Sequence, residues 1–259
     1  MLDKMIEFLV SWVYFPNITL TGLLLGIGLG IVFGAIWLIG YWPPLFKKYW
    51  LWLVMIGSAI LTLLAVTFIQ IPLQVVVGQL LIHFWSQEIL ISWILLSSIP
   101  NILLSGLVQE GAKLVPVVIW WIRNKINVTP TMGLIVGAIA GAGFGIFEAV
   151  WAHNTVFAAG WTWQAVEAKG LVALIPFWER FSAVAFHIAS SALAGYGLAK
   201  GWGWQFYLIA SFLHALVNYG VVLLQSGMLT IVQIEIYALV IALAVTGVAL
   251  WLRWGKQRK

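Results

Sequence analysis

The feature that most constrains this chain is the recurrence of apolar segments of about 20 residues, each long enough to cross a bilayer. Inside a bilayer the backbone has no water to bond, so a chain with such segments crosses it as helices. Of the 259 residues, 63% are hydrophobic and only 8% are charged, whereas soluble domains contain about 25% charged residues. The sequence therefore predicts an all-α polytopic membrane protein, a single integral membrane domain over residues 1–259.

Seven segments have the length and apolar character of membrane spans, and we predict a bundle of 7–8 transmembrane helices. A short amphipathic segment over 1–17 precedes them. More polar stretches at about 70–100 and 152–176 are predicted to form interfacial or re-entrant helices. Two tilted crossings over 70–100 are the alternative, and they leave the direction of the later spans unchanged. The spans are expected at about 18–42, 50–69, 102–122, 131–151, 178–199, 204–226 and 230–253.

Two of the spans carry glycine at every fourth position, which places these glycines on one face of each helix. Faces of this kind let a neighbouring helix approach closely in a membrane. A G-x-G-x-x-G-like pattern over Gly137–Gly145 follows no strand and lies within a span, so it does not predict a nucleotide-binding loop. The two ladders are Gly22, Gly26, Gly30 and Gly34, and Gly133, Gly137, Gly141 and Gly145.

Basic residues are concentrated at one end of the predicted spans. Nine of the 13 lysines and arginines fall there, and the positive-inside rule makes this end cytoplasmic, with the C-terminus inside and the N-terminus outside. These residues are interpreted as topology signals, so no nucleic-acid partner is predicted. The absence of cysteine removes disulfides and thiolate metal sites. The nine residues are Lys47, Lys48, Arg123, Lys125, Lys200, Arg253, Lys256, Arg258 and Lys259.

One carboxylate, that of Glu110, lies inside the predicted span over 102–122. A charge at membrane depth costs several kcal/mol unless a partner or a wet cavity compensates it. Lys113 follows three residues later on the same helix face, where it can pair with Glu110 and hold it ionised. Other polar residues near the predicted outer interface are expected to be solvated. They are His83, Glu88, His153, Glu167, Glu179, Arg180 and Glu235.

Further polar residues are predicted close to the depth of Glu110, which lies roughly 20 Å from the cytoplasmic end of its span. His187 and His214 are predicted at the same depth as Glu110. Glu148 lies higher, at roughly 27 Å, unless its helix tilts. It continues the glycine face of that helix, and Asn218 lies one turn from His214. The sequence therefore predicts one polar cluster inside the bundle.

Two carboxylates and two imidazoles that converge from four helices support two kinds of hydrolytic site. The first holds a divalent metal such as Zn²⁺, whose bound water becomes a nucleophile near neutral pH. In the second, a glutamate and a histidine activate water directly. Asn218 can stabilise an oxyanion through its amide. The candidate metal ligands are Glu148, His187 and His214, with Glu110 as a further candidate.

Four motifs occur in order along the second half of the chain. They are E-x-x-K at Glu110–Lys113, F-x-x-x-E at Phe144–Glu148, a lone histidine at His187, and H-x-x-x-N at His214–Asn218. This series resembles the PrsW branch of the intramembrane proteases, a superfamily that also includes the CAAX prenyl endopeptidases and the Abi proteins. The resemblance covers about residues 103–226, the motif-bearing core.

The resemblance implies a membrane-embedded protease of a prokaryotic cytoplasmic membrane. Its partners would be the lipid bilayer and a membrane-embedded or membrane-anchored protein or peptide substrate. Glu110 would carry the catalytic glutamate role, and both a zinc-dependent and a metal-free mechanism stay open. The remaining site residues would be Glu148, His187, His214 and Asn218, with Gln109, Lys113 and Phe144 in support.

One residue departs from the pattern of the resembling family. Its first motif usually has two adjacent glutamates, whereas here Gln109 precedes Glu110. This difference points either to a YhfC-like sister branch or to a non-catalytic member of the same fold that binds a partner. A third function stays open, because intramembrane glutamate and histidine residues also serve proton- or ion-coupled transporters.

Overall fold

The described part of the chain is built from helices. The computed structural model describes residues 2–124 and 128–255, and within these ranges there is no β-strand. Seven helical segments are long and apolar enough to cross a membrane, which confirms the predicted all-α polytopic fold. They are Leu20–Ile39, Trp50–Phe84, Ile94–Asn124, Pro130–Ala158, Gln164–Ala199, Gly203–Gln225 and Ile231–Trp254.

The individual helices follow one another with short connections. A π-helical turn, Val66–Gln70, joins the helices Trp50–Ala65 and Ile71–Phe84, and a 3₁₀ turn, Gly170–Leu174, joins Gln164–Lys169 to Ile175–Ala199. In chain order the α-helices are α1 (Leu2–Ser11), α2 (Leu20–Ile39), α3 (Trp50–Ala65), α4 (Ile71–Phe84), α5 (Gln87–Ser92), α6 (Ile94–Ser97), α7 (Ile99–Asn124), α8 (Pro130–Ala158), α9 (Gln164–Lys169), α10 (Ile175–Ala199), α11 (Gly203–Gln225) and α12 (Ile231–Trp254).

Threonine side chains fix the start of three spans. Thr19 Oγ1 accepts a hydrogen bond from Gly22 N at 3.1 Å, and Thr129 Oγ1 accepts one from Met132 N at 3.1 Å. Thr230 forms a capping box at the start of α12. The first N–H groups of a helix have no partner within it, so each cap stabilises its helix by about 1 kcal/mol.

The second span is longer than predicted. α3 continues through the π-turn into α4, so that one helix of 35 residues runs from Trp50 to Phe84. The wider turn accommodates Pro72, which has no backbone N–H to donate. Of the interfacial or re-entrant helices expected over 70–100, only the short α5 and α6 are separate, because residues 71–84 extend the second span. In 152–176, the short α9 and the 3₁₀ turn precede α10.

Both glycine ladders pack closely against another helix, as predicted. A Cβ atom added to Gly26 of α2 would collide with Asn154 Oδ1 of α8. A Cβ atom added to Gly141 of α8 would collide with the backbone carbonyl oxygen of His187 on α10. The backbones of α8 and α10 therefore touch at the level of His187, and this contact fixes where that histidine lies.

The structure contradicts the expectation that His153 is solvated. Its side chain is fully buried, and its ring stacks on Phe177 with the centroids 5.3 Å apart. His153 Nδ1 lies 3.4 Å from Gly26 O. The reason is that α8 continues for two further turns beyond the predicted end of its span, so that His153 faces α2 and the start of α10.

Two other residues expected at the outer interface are also withdrawn from solvent. Glu235 is buried, and Arg180 is largely covered by the ion pairs that it forms with neighbouring carboxylates. α12 packs along α10, so the outer ends of these helices shield each other. The expectation of solvation is met at three positions, which are His83, Glu88 and Glu167.

Five of the nine basic residues of the topology argument are described, and they lie at one end of the bundle. Lys48 Nζ is 3.9 Å from Met132 Sδ, and Arg253 Nε donates to Tyr41 O at 3.1 Å. The ends of successive spans thus meet there, as alternating helix directions require. The side of the membrane that this end faces stays a prediction. Four residues of the topology argument lie outside the described residues, namely Lys125, Lys256, Arg258 and Lys259.

Candidate active site

The centre of the site is a fully buried ion pair on α7. Lys113 Nζ donates to Glu110 Oε1 at 2.6 Å, and both side chains have 0% exposure. The spacing of three residues puts both groups on one helix face. The same Glu110 oxygen lies 2.8 Å from His214 Nδ1 of α11. Glu110 is therefore held ionised by two partners from two helices.

The contact with Glu110 assigns the protons of His214. A carboxylate oxygen only accepts, so His214 Nδ1 carries a hydrogen, and in a neutral ring the lone pair would be on Nε2. The ring packs edge-on against Phe186, with the centroids 5.7 Å apart. His214 is thus an imidazole oriented by a carboxylate, with Nε2 on the opposite side of the ring.

His187 of α10 has a partner at each ring nitrogen. Lys113 Nζ lies 3.0 Å from His187 Nδ1, and an ammonium only donates, so Nδ1 accepts. His187 Nε2 then carries the hydrogen and donates to Glu148 Oε2 at 3.2 Å. Phe144, the first residue of the F-x-x-x-E motif, packs edge-on against this imidazole at 5.2 Å between centroids. His187 is therefore fixed in one tautomer and one orientation.

Arg180 is a member of the site that the sequence analysis missed. Its Nη1 donates to Glu148 Oε2 at 2.7 Å, and its other nitrogens pair with Glu179. The available signal was the spacing to His187, since seven residues are two helix turns and place both side chains on one face of α10. Arg180 thus fixes the carboxylate that holds His187.

Ser190 is a second residue that sequence reasoning missed. Its Oγ lies 3.3 Å from both Glu110 Oε1 and His187 O. The neighbouring Ser191 does not take this place, since its Oγ has no hydrogen-bond partner in the described part of the chain. Instead, the backbone of Ser191 packs against Gly137. Which of two adjacent serines faces the site depends on the rotation of α10, which the pattern does not fix.

The two amide residues near the site are anchored away from Glu110. Asn218 Nδ2 donates to Ser105 Oγ at 3.0 Å. Gln109 Nε2 donates to Gln70 Oε1 of the π-turn at 3.1 Å. Gln109, which stands where the resembling family usually has a second glutamate, is therefore bonded to the second span and forms part of the wall of the site.

A polar cavity of about 160 Å³ adjoins the cluster. A single water needs roughly 15 Å³ on the same kind of measure, so the cavity has room for water and for part of a substrate. His187, His214, Glu148 and Asn218 all line it, whereas Glu110 lies behind His214. The cavity extends to Arg180 and Glu179 at the start of α10, where Glu179 is partly exposed.

The donor set of the cluster fits a metal ion in type and in spacing. Glu110, His187 and His214 each offer a ligand atom, and these atoms lie within 4.8 Å of one another. Two imidazoles and one glutamate form a known ligand set of catalytic zinc. Lys113 Nζ already lies against Glu110 Oε1 and His187 Nδ1, so a metal that used these two atoms would replace the ammonium.

Glu148 differs from its sequence-based assignment as a candidate ligand. The group of three potential metal ligands within the described ranges contains Glu110 in its place. Glu148 contacts the group through His187 Nε2, at 3.2 Å. Its position suits a residue that orients the imidazole, and its role as a ligand stays a prediction.

A model of a known protein family matches most of the chain. The model of the PrsW family intramembrane metalloproteases matches residues 48–248. The matched region contains six of the seven candidate spans in whole or in large part, together with every side chain of the cluster. No curated protein and no solved structure matches the chain.

Proposed function

Because this chain belongs to the PrsW family of intramembrane metalloproteases, we propose that Glu110 and His214 activate the water with which it hydrolyses a peptide bond. The observation that carries this proposal is the 2.8 Å contact between Glu110 Oε1 and His214 Nδ1, with Glu110 fully buried and His214 facing a polar cavity. The reaction of the family requires a nucleophilic water at membrane depth, and this pair supports one.

In the proposed reaction His214 acts as the general base. Its Nε2 takes a proton from a water in the cavity as the water oxygen attacks the peptide carbonyl carbon. Glu110 orients the ring and stabilises the imidazolium that forms, as a buried carboxylate does in a serine protease triad. When the C–N bond breaks, the proton passes from His214 to the leaving amine nitrogen. Lys113 balances the charge of Glu110 throughout.

The opposite wall of the cavity would stabilise the oxyanion. Asn218 uses one amide hydrogen on Ser105, so the second is free to donate to the developing negative charge. His187 lies beside Asn218 on the wall of the cavity, but its single N–H is already donated to Glu148. Arg180 holds Glu148, and Glu148 in turn keeps His187 in the tautomer that donates.

We propose a zinc-loaded form as the alternative to this metal-free reaction, in which Glu110, His187 and His214 would hold the ion, because their types and spacing fit it, and His214 would serve as a ligand. When bound there it would supply a water that ionises near neutral pH. Lys113 Nζ would then give up its contacts with Glu110 Oε1 and His187 Nδ1. The roles of Arg180 and Glu148 in positioning His187 are the same in both forms.

The proposed substrate is a membrane-embedded or membrane-anchored protein or peptide, since the site lies inside the bundle. The C-terminal end of the chain is proposed to be cytoplasmic, and the motif-bearing core 103–226 is proposed to be the catalytic unit. By its motifs we group the chain with the CAAX protease and Abi superfamily. We propose that Gln109 lines the cavity and links α7 to the second span, and that hydrolysis needs only one glutamate at this motif.

The test is a comparison of new protein termini in membranes from cells that carry wild-type or Glu110→Gln protein. We expect a set of cleavage products that disappears in Glu110→Gln and in His214→Asn, with purified protein in liposomes then cutting the same sites. Loss of the base should slow cleavage by about 10²- to 10⁴-fold. Ser191→Ala is the matched control and should cleave normally. Undiminished cleavage by Glu110→Gln would overturn the assignment.

A further inference from the structure

A second cleft lies at the basic end of the bundle, away from the cavity of the active site. It has a volume of about 520 Å³ and is formed mainly by the start of α3 and the end of α7. Lys48 and Arg123 line it together with Trp50 and Trp120. Neither basic residue takes part in the polar cluster around Glu110, so the proposed reaction gives this cleft no role.

The two basic residues have no carboxylate partner in the part of the chain that the structure describes. Lys48 Nζ has one polar contact there, with Met132 Sδ at 3.9 Å, and Arg123 forms no ion pair. The sequence explains this, because the connections at this end of the bundle, residues 40–49, 125–129, 200–202 and 255–259, contain no aspartate or glutamate. Both side chains are exposed, so an anionic group of another molecule can reach them.

The rest of the cleft is apolar. The rings of Trp50 and Trp120 stack with their centroids 5.6 Å apart and their planes at 11°. Leu53 and Ile119 line the cleft further along the helices, and their side chains are 72% and 46% exposed on the surface that faces lipid. The cleft is thus charged at the level of the head groups and open to acyl chains below it.

We propose that this cleft binds one anionic phospholipid. Its phosphate would lie between Lys48 Nζ and the guanidinium of Arg123, and an acyl chain would follow α3 and α7 past Leu53 and Ile119. Charge complementarity selects an anionic head group, since basic pockets between membrane helices recognise such lipids. The apolar continuation selects a lipid over a free phosphate, because a small anion would leave that surface unfilled.

The same lipid would brace the helix that carries Glu110. Pro116 lines the cleft and lies three residues after Lys113. Proline lacks the N–H that would bond to the preceding turn, so α7 is weakened between its catalytic part and its end at Arg123. A lipid that bridges α3 and the part of α7 from Pro116 to Arg123 would stabilise this weakened part of the helix. Protein without this lipid should therefore unfold at a lower temperature.

The experiment measures lipid binding to the purified full chain by native mass spectrometry, together with its thermal unfolding midpoint. The probes are phosphatidylglycerol and phosphatidylcholine with identical acyl chains. We expect selective binding of phosphatidylglycerol and a higher unfolding midpoint with it. At about 1 kcal/mol for each basic contact, Lys48→Gln or Arg123→Gln should lower this selectivity about 5-fold, and the double variant about 30-fold.

The control is Lys47→Gln combined with Lys200→Gln, which removes the same charge from the same end of the bundle but outside this cleft. This control should keep the selectivity of the wild type. The proposal fails if the wild type binds both lipids equally, if the double variant keeps its selectivity, or if the control loses it to the same extent. It also fails if inorganic phosphate alone raises the unfolding midpoint as much as the lipid does. None of these outcomes depends on protease activity.

Discussion

Removal of the ammonium from the buried ion pair should destabilise the protein strongly. Lys113 and Glu110 have no exposed surface and are joined at 2.6 Å. Loss of one partner from such a pair costs about 3–5 kcal/mol, because the other charge stays buried. In Lys113→Met, Glu110 keeps His214 Nδ1 and Ser190 Oγ as donors, so we expect about 3 kcal/mol, at the lower limit.

A double variant of Glu110 and Lys113 measures how far the stabilising effect of each charge depends on the other. Glu110→Gln alone leaves the buried ammonium of Lys113 with neutral acceptors, the introduced amide oxygen and His187 Nδ1, in place of its ion-pair partner, and it should also cost about 3 kcal/mol. Glu110→Gln combined with Lys113→Met removes both charges and should cost only about 2 kcal/mol, since paired replacement is often close to neutral. The expected coupling energy is therefore about 4 kcal/mol.

The assay is reversible unfolding in mixed micelles with a denaturing detergent, followed by helical circular dichroism. Lys200→Met is the control, because Lys200 is exposed at the end of α10, and such surface changes stay within about 0.5 kcal/mol. A coupling energy below about 0.5 kcal/mol would mean that the two charges do not depend on each other, and it would refute the argument.

Three further predictions follow from the packing and the contacts. Gly141→Ala should lower the free energy of unfolding by about 1–3 kcal/mol, because the added Cβ would collide with the carbonyl oxygen of His187. The control is Gly28→Ala, where the added Cβ meets open space. Its free energy of unfolding in the same micelles should be unchanged or slightly higher. Arg180→Gln should lower kcat about 10- to 100-fold with KM little changed, since Glu148 loses the donor that holds it; steady-state kinetics on a defined substrate checks this, and an equal change in KM alone would contradict it. Lys113→Met should retain more zinc than the wild type by elemental analysis after dialysis, because the ammonium occupies the contacts of two candidate ligands; unchanged zinc would place any metal elsewhere.

The sequence was informative where the signal is local or periodic. The spans follow from apolar length, and the glycine faces follow from a repeat of four residues that is visible in a single helix. The pairing of Glu110 with Lys113 is a contact between neighbours on one helix, and it is present at 2.6 Å. The shared depth of His187 and His214 follows from counting residues from the ends of their spans.

The sequence was uninformative where the outcome depends on how one helix is rotated against another. Arg180 looked like a solvated residue because its partner Glu148 lies on a different helix. His153 looked interfacial because the extra turns of α8 have no clear apolar signal. The choice of Ser190 over Ser191 rests on the angle of α10 about its own axis, and this angle is set by the contact of Gly141 with the backbone of α10.

The close helix contacts divide the active site into two half-sites. α8 and α10 touch along the glycine face and carry Glu148 and His187, whereas α7 and α11 touch at Gly106 and carry Glu110 and His214. Each half-site keeps its own carboxylate–imidazole pair. The polar contacts between the halves are few, and Lys113 to His187 is the shortest of them. If the two halves separated to admit a substrate, both carboxylate–imidazole pairs would stay assembled. The contact between Lys113 and His187 would break, so its presence distinguishes the closed arrangement from the open one.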